Sequence, residues 1–107
     1  MSHDVASSLA IVRQHIDELD ALAKQTLQDL NTVAGTERVM KWKIRTAAML
    51  THTVGPQEGQ GFARLQPGPS FTNDLVEEFT DLIECYRAPL TALVTRLARL
   101  STLPNRG

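Results

Sequence analysis

The sequence predicts an all-α protein, an elongated helical bundle in which two long heptad-bearing helices are joined by a shorter helical segment. Two observations support this prediction. Over two long stretches, apolar residues recur at alternating intervals of three and four, which is the pattern of a helix packed along its length against another helix. Aromatic residues make up only 5% of the chain, and the β-branched residues form no alternating run of the kind that indicates a strand.

Length and charge restrict the class of partner. With 107 residues and a net charge of −1, we expect one domain with a thin core and no general attraction to nucleic acid or to an anionic membrane. The expected partner is therefore a protein, either further copies in a dimer or larger homo-oligomer, or a paired effector subunit.

No apolar run reaches the roughly 18 residues of a membrane span, no signal pattern is seen, and the single cysteine fits a reducing compartment. These features predict a cytoplasmic location.

The first long helix is predicted over about residues 5–34. Its apolar stripe follows a 4-3-4-3 spacing that only Thr26 interrupts, which is typical of a coiled coil. The stripe consists of Val5, Leu9, Val12, Ile16, Leu19, Ala23, Leu30 and Val33. We expect Gly35 to end this helix and Thr36 to cap the next one.

A second helix is predicted over about residues 37–53 and a short third helix over about 56–65, because the Gly55-Pro56 pair separates them. Arg38, Lys41 and Arg45 are three and four residues apart, so they share one face of the second helix. The simpler interpretation is that water solvates this basic face. The alternative is that the face docks an acidic partner.

The last long helix is predicted over about residues 73–101. Its apolar register continues across Pro89, so we expect a helix that is kinked or briefly interrupted there. Its first half carries an acidic stripe, which we expect to face the basic residues of the second helix within the chain or across a dimer. That stripe consists of Asp74, Glu77 or Glu78, Asp81 and Glu84.

The apolar faces of the two long helices are expected to supply the surface through which the chain assembles. We expect that interface to contain Leu9, Ile16, Leu19, Leu82, Leu90, Leu93 and Leu97.

Several chemistries have no motif in this sequence. It contains no glycine-rich phosphate loop, no nucleophile elbow and no cysteine-rich zinc spacing, and we expect no cofactor and no metal. His15 and Glu18 are one possible ligand pair, but the further inward His and Glu residues of a dimetal bundle site are missing. We expect the pair to be a surface interaction and Cys85 to be a buried, inert thiol.

Arg45 and His52 are separated by six residues, which is similar to the motif of HEPN-type ribonucleases. Those enzymes are all-helical dimers that cleave RNA without a metal. The resemblance implies that Arg45 would stabilise phosphate charge and that His52 would transfer the proton. Thr46 departs from the pattern, because an Asn, Asp or His usually follows the arginine in those motifs.

A second resemblance covers residues 42–62. Its five positions, a W-x-x-R... G... F pattern, resemble small helical accessory modules found beside effector domains in bacterial antiphage and conflict proteins. The resemblance implies a noncatalytic domain that oligomerises or docks a partner. The positions are Trp42, Arg45, Leu50, Gly55 and Phe62.

A purely structural interpretation explains the same residues. In it, Trp42 and Phe62 anchor the core, Arg45 either extends its charged end to water or pairs with a carboxylate, and Gly55 permits the turn. We favour a noncatalytic interaction module, an accessory or adaptor in a bacterial defence-type system, with the ribonuclease as the alternative.

Overall fold

The computed structural model describes residues 4–69 and 73–102, and within these ranges the chain is all-α, with no strand. The predicted fold class is therefore confirmed. The molecule measures 55 × 24 × 22 Å, and α1 packs most extensively against α4 while α2 packs against α1 and α3. The helices are α1 (Val5–Asp29), α2 (Thr32–Thr53), α3 (Pro56–Ala63) and α4 (Leu75–Thr102).

The boundary between the first two helices was wrongly predicted, because α1 ends at Asp29 and not near residue 34. Leu30 adopts a left-handed conformation with φ of 56°, and its N–H donates to the Thr26 carbonyl at 2.8 Å. The Asn31 side chain then accepts from the N–H of Ala34 at 3.1 Å. A left-handed residue stops a helix and an asparagine cap starts the next one, so the turn is made by Leu30 and Asn31.

Gly35 is buried inside α2 and does not end a helix, and Thr36 lies within α2 and caps nothing. A Cβ atom added to Gly35 would collide with the side chain of Thr26, which is 1% exposed and donates its hydroxyl to the Leu22 carbonyl. The glycine therefore lets α1 and α2 approach closely just beyond their turn. Thr26, which interrupted the apolar stripe in the sequence, is part of that contact.

Three aromatic rings from three helices meet in the core. Trp42 of α2 is fully buried, and its ring lies 5.7 Å from that of Phe62 of α3, nearly perpendicular to it. Tyr86 of α4 lies 6.4 Å from Trp42 and 5.9 Å from Phe62, measured between ring centres. Such tilted pairs are a favourable arrangement for aromatic rings, and they hold α2, α3 and α4 around one centre.

The leucine-rich faces predicted as an assembly surface are packed inside the chain. The stripe of α1 and that of α4 cover each other, because both helices are long and both are apolar along one side. These side chains therefore leave little area for a second copy, which corrects the predicted interface. Leu19, Leu82, Leu90, Leu93 and Leu97 are buried, and Leu9 and Ile16 are half-buried against them.

Helix α4 runs through Pro89 without interruption. Asp74 caps its first turn, since its carboxylate accepts from the N–H of Val76 at 2.9 Å.

In the described ranges, none of the helices combines the length and the apolar character needed to cross a membrane.

Candidate functional site, an apolar groove between α2 and α4

A groove with a volume of about 770 Å³ lies between the first half of α2 and the first half of α4. Residues 66–69 form one of its edges. Clefts of this size are typical of binding sites for ligands and peptide side chains. Its apolar wall consists of Val33, Met40, Leu75, Phe79, Leu82, Cys85 and Tyr86.

Lys43 fixes the segment beside the groove. Its ammonium donates to the Leu65 carbonyl at 2.7 Å and lies 5.0 Å from the centre of the Tyr86 ring. A hydrogen bond and a cation–π contact from one side chain of α2 thus tie the chain after α3 to α4. The groove is consequently bounded by elements that are held to one another.

The groove continues into exposed apolar surface. Val33 is 70% exposed and Leu75 is 63% exposed at its edges, and Leu30 in the adjacent turn is 70% exposed. Along α2, Met40 is seven residues after Val33, and Ile44, which is 71% exposed, is four residues further on. These intervals place the three residues in one line on the helix. The fold therefore leaves the groove and these exposed apolar side chains beside it without a cover in the described part of the chain.

Carboxylates are the charged groups of this groove. Glu37 lies on the α2 side, and Glu78 and Asp81 lie on the α4 side. No Lys or Arg is among its described lining residues, and these three carboxylates form no ion pair within the described ranges. The groove is thus apolar inside, with carboxylates at both rims.

The predicted contact between the basic face of α2 and the acidic stripe of α4 does not form within the described part of the chain. Arg38, Lys41 and Arg45 are all exposed, but Arg45 donates to Glu18 of α1 at 3.1 Å. The reason is the placement of the helices. The face of α2 that carries Arg45 is turned toward α1, whereas α4 approaches the side that carries Lys43.

The residues of the ribonuclease alternative lie on the surface of α2. Arg45 and His52 are both exposed, and the seven-residue step between them corresponds to about 10 Å along the helix axis. Arg45 is already engaged with Glu18, so one of the two groups has a partner inside the chain.

His15 belongs to a polar cluster between α1 and α2. Its Nδ1 lies 2.8 Å from the Thr46 hydroxyl and 4.0 Å from the Glu18 carboxylate. Burial lowers the pKa of His15 from its usual value; Glu18 opposes this shift, and Arg45 adds to it. The cluster joins two helices, and no group of three or more metal-binding side chains occurs in the described ranges. The expected surface pair of His15 and Glu18 is thus secondary to the contact with Thr46.

The sequence-based interpretation missed the groove, although part of its signal was present. Val33, Met40 and Ile44 form an apolar line on α2 that differs from the buried line containing Trp42. Cys85, which was expected to be buried, is half-buried in the groove wall.

Comparison with known proteins gives no relative for this chain. No family model, curated protein or solved structure matches it.

Proposed function

We propose that this chain is a noncatalytic helical interaction module, an accessory or adaptor subunit that binds a partner protein in the groove between α2 and α4. The observation that carries the proposal is the apolar groove, together with the exposed side chains of Leu75, Val33 and Ile44 beside it, which the described part of the chain leaves uncovered. Contiguous exposed apolar surface of this kind marks interaction sites in folded proteins.

The composition of the groove supports binding over catalysis. Cys85 is its one nucleophilic thiol, and no His, Lys or Arg that could activate it is among the described lining residues. The walls instead supply aliphatic, aromatic and thioether groups, such as Leu75, Phe79 and Met40. Such side chains contribute to affinity mainly by leaving water.

The assignment to a bacterial defence-type system rests on the resemblance of residues 42–62 alone. Trp42 and Phe62 have a structural role in this fold, because both are buried in the core. The proposal therefore places the partner-binding role in the groove and leaves the two aromatic anchors to hold the helices.

A selection for binding peptides tests the proposal. We would select from a library of random peptides about 16 residues long, which is enough for about four helical turns, against the whole chain and measure the affinity of the selected peptides for two variants. Leu75→Asn removes an exposed leucine at the groove, and Leu100→Asn removes one at the other end of α4; the side chains are 63% and 53% exposed. We expect Leu75→Asn to weaken binding about tenfold, because the peptide no longer buries that leucine.

The matched variant Leu100→Asn should bind the same peptides with affinities within about twofold of the parent, since it lies outside the groove. A library that yields no binder, or binders equally affected by both variants, would contradict the proposal. Circular dichroism of both variants establishes that the helices are intact.

The alternative function is a HEPN-like metal-independent ribonuclease that uses Arg45 and His52. The observation in its favour is that both side chains are exposed on α2, where a second copy could bring another pair beside them. This function requires RNA cleavage by the wild-type chain that is lost in both Arg45→Ala and His52→Ala while the fold is kept. Cleavage that persists in either variant rejects it.

A further inference from the structure

We infer that the groove receives an amphipathic helix of about three turns that carries Lys or Arg on both sides of its apolar face. This inference rests on the proposed function and adds the chemistry of the partner. Two properties of the groove lead to it, the hydrogen bonding of its walls and the position of its carboxylates.

The walls favour a helix over an extended segment. Both long walls are helices, α2 and α4, whose backbone donors and acceptors are mostly used inside the helices themselves. An extended segment laid between them would find few backbone partners, whereas a helix satisfies its own backbone groups before it docks. The apolar line from Val33 to Ile44 covers twelve residues, and the eleven steps between them rise about 16 Å, which corresponds to about three turns of a bound helix.

The carboxylates define the charge of that helix. Glu37 on one wall and Glu78 with Asp81 on the other form a negative rim on both sides of the apolar wall. A docked helix with Lys or Arg beside its apolar face would meet a carboxylate on either side. Each exposed pair contributes up to about fivefold in affinity and weakens as salt rises. A helix with Glu at the same positions would be repelled.

Two synthetic peptides test the inference. Both carry leucine at intervals of three and four over about 16 residues, and they differ in having Lys or Glu beside the leucines. We would measure the binding of each labelled peptide to the whole chain by fluorescence anisotropy, in low and in high salt. We expect the Lys peptide to bind at least about tenfold more tightly than the Glu peptide, and this preference to shrink as salt rises.

A charge reversal at the rim provides the matched test. Asp81→Lys changes a rim carboxylate, and Asp17→Lys makes the same change on the exposed surface of α1. We expect Asp81→Lys to lower the affinity for the Lys peptide about tenfold and Asp17→Lys to change that affinity by less than about threefold. The reason is that only residue 81 would lie beside the bound peptide. Equal effects of the two reversals would overturn the inference.

The remaining outcomes separate this inference from the proposed function. If both peptides bind equally and Leu75→Asn weakens both, the charge assignment is wrong and the interaction function stands. If neither synthetic peptide binds, but peptides selected from the random library bind and Leu75→Asn weakens that binding, the inference that the occupant is a helix is wrong. If the chain alone forms a dimer that the Lys peptide dissociates, a second copy is the occupant and the inference is overturned. If neither these peptides nor the library yields binding through Leu75, both proposals fail.

Discussion

The indole nitrogen of Trp42 donates a hydrogen bond of 2.9 Å to the backbone carbonyl of His15. The ring is fully buried and meets the ring of Phe62 edge-on. One side chain of α2 therefore contacts α1 through a polar group and α3 through its apolar edge, and the only tryptophan of the chain joins three helices.

Replacement of this residue measures how much its contacts contribute to stability. Trp42→Phe keeps an aromatic ring but removes the N–H donor and part of the volume, so we expect the free energy of unfolding to fall by about 1–3 kcal/mol. Trp42→Ala should cost about 3–5 kcal/mol, because it leaves a large cavity. Urea unfolding must be followed by circular dichroism, since both variants lack the fluorophore. A Trp42→Phe variant as stable as the parent would show that neither the hydrogen bond to His15 nor the lost volume contributes.

Two glycines inside helices should respond in opposite directions to alanine. Alanine favours a helix over glycine by about 1 kcal/mol, and Gly61 has open space around it, so Gly61→Ala should be neutral or stabilising. Gly35→Ala should lower the free energy of unfolding by about 1–3 kcal/mol, because the new methyl group meets the buried side chain of Thr26. Urea midpoints of the two variants measure the difference. If Gly35→Ala stabilises the chain as Gly61→Ala does, the contact between α1 and α2 at Thr26 is looser than described.

The pKa of His15 predicts a loss of stability in mild acid. Burial lowers the pKa of His15 below its usual 6.5, so the unfolded chain takes up a proton near that pH while the folded chain does so only at lower pH. The unfolded state therefore binds more protons in this window. The His15 contribution to stability is complete above pH 6.5 and decreases as the pH falls toward the folded pKa.

Urea unfolding between about pH 7.5 and 5.5 measures this effect. His15→Gln should flatten the dependence relative to the parent. His52→Gln is the matched control, since His52 is exposed on α2, and it should keep the parent's dependence. Parallel curves for the parent and for His15→Gln would contradict the assignment, as would a ring titration of His15 with a midpoint at or above 6.5.

The sequence predicted the fold class because heptad stripes require a helical partner, and the two stripes were long enough to cover each other. It could not show whether that partner belonged to the same chain. An apolar helix face, such as the one that contains Leu93, predicts that the face is buried but not which element buries it. The ambiguity of Gly35 has a similar origin, because a glycine after an apolar stripe is compatible with a helix end and with close packing. Leu30, which ends α1, is an unusual residue for a left-handed cap.

The groove depends on tertiary structure. Its walls come from residues 32–40 and 75–86, and only the packing of α4 beside α2 brings them together. Its apolar residues on α4, such as Leu82, were predicted to lie on the apolar face of a long helix, and that face also covers α1. Glu78 and Asp81 at the rim were recognised as part of an acidic stripe, but its expected contact with the basic residues of α2 does not form within the described part of the chain, because Arg45 pairs with Glu18 of α1.

The central claim is that a partner helix binds over the groove, and Cys85 provides the most direct measurement of it. This residue is the only cysteine in the chain and lies half-buried in the groove wall. We would measure the rate at which its thiol reacts with Ellman's reagent, with and without a saturating concentration of the Lys peptide. Fluorescence anisotropy would confirm that the peptide is bound. The account predicts that the bound peptide slows the reaction at least about tenfold, because it covers the thiol, and that the Glu peptide at the same concentration does not. An unchanged rate with the Lys peptide fully bound would contradict the account.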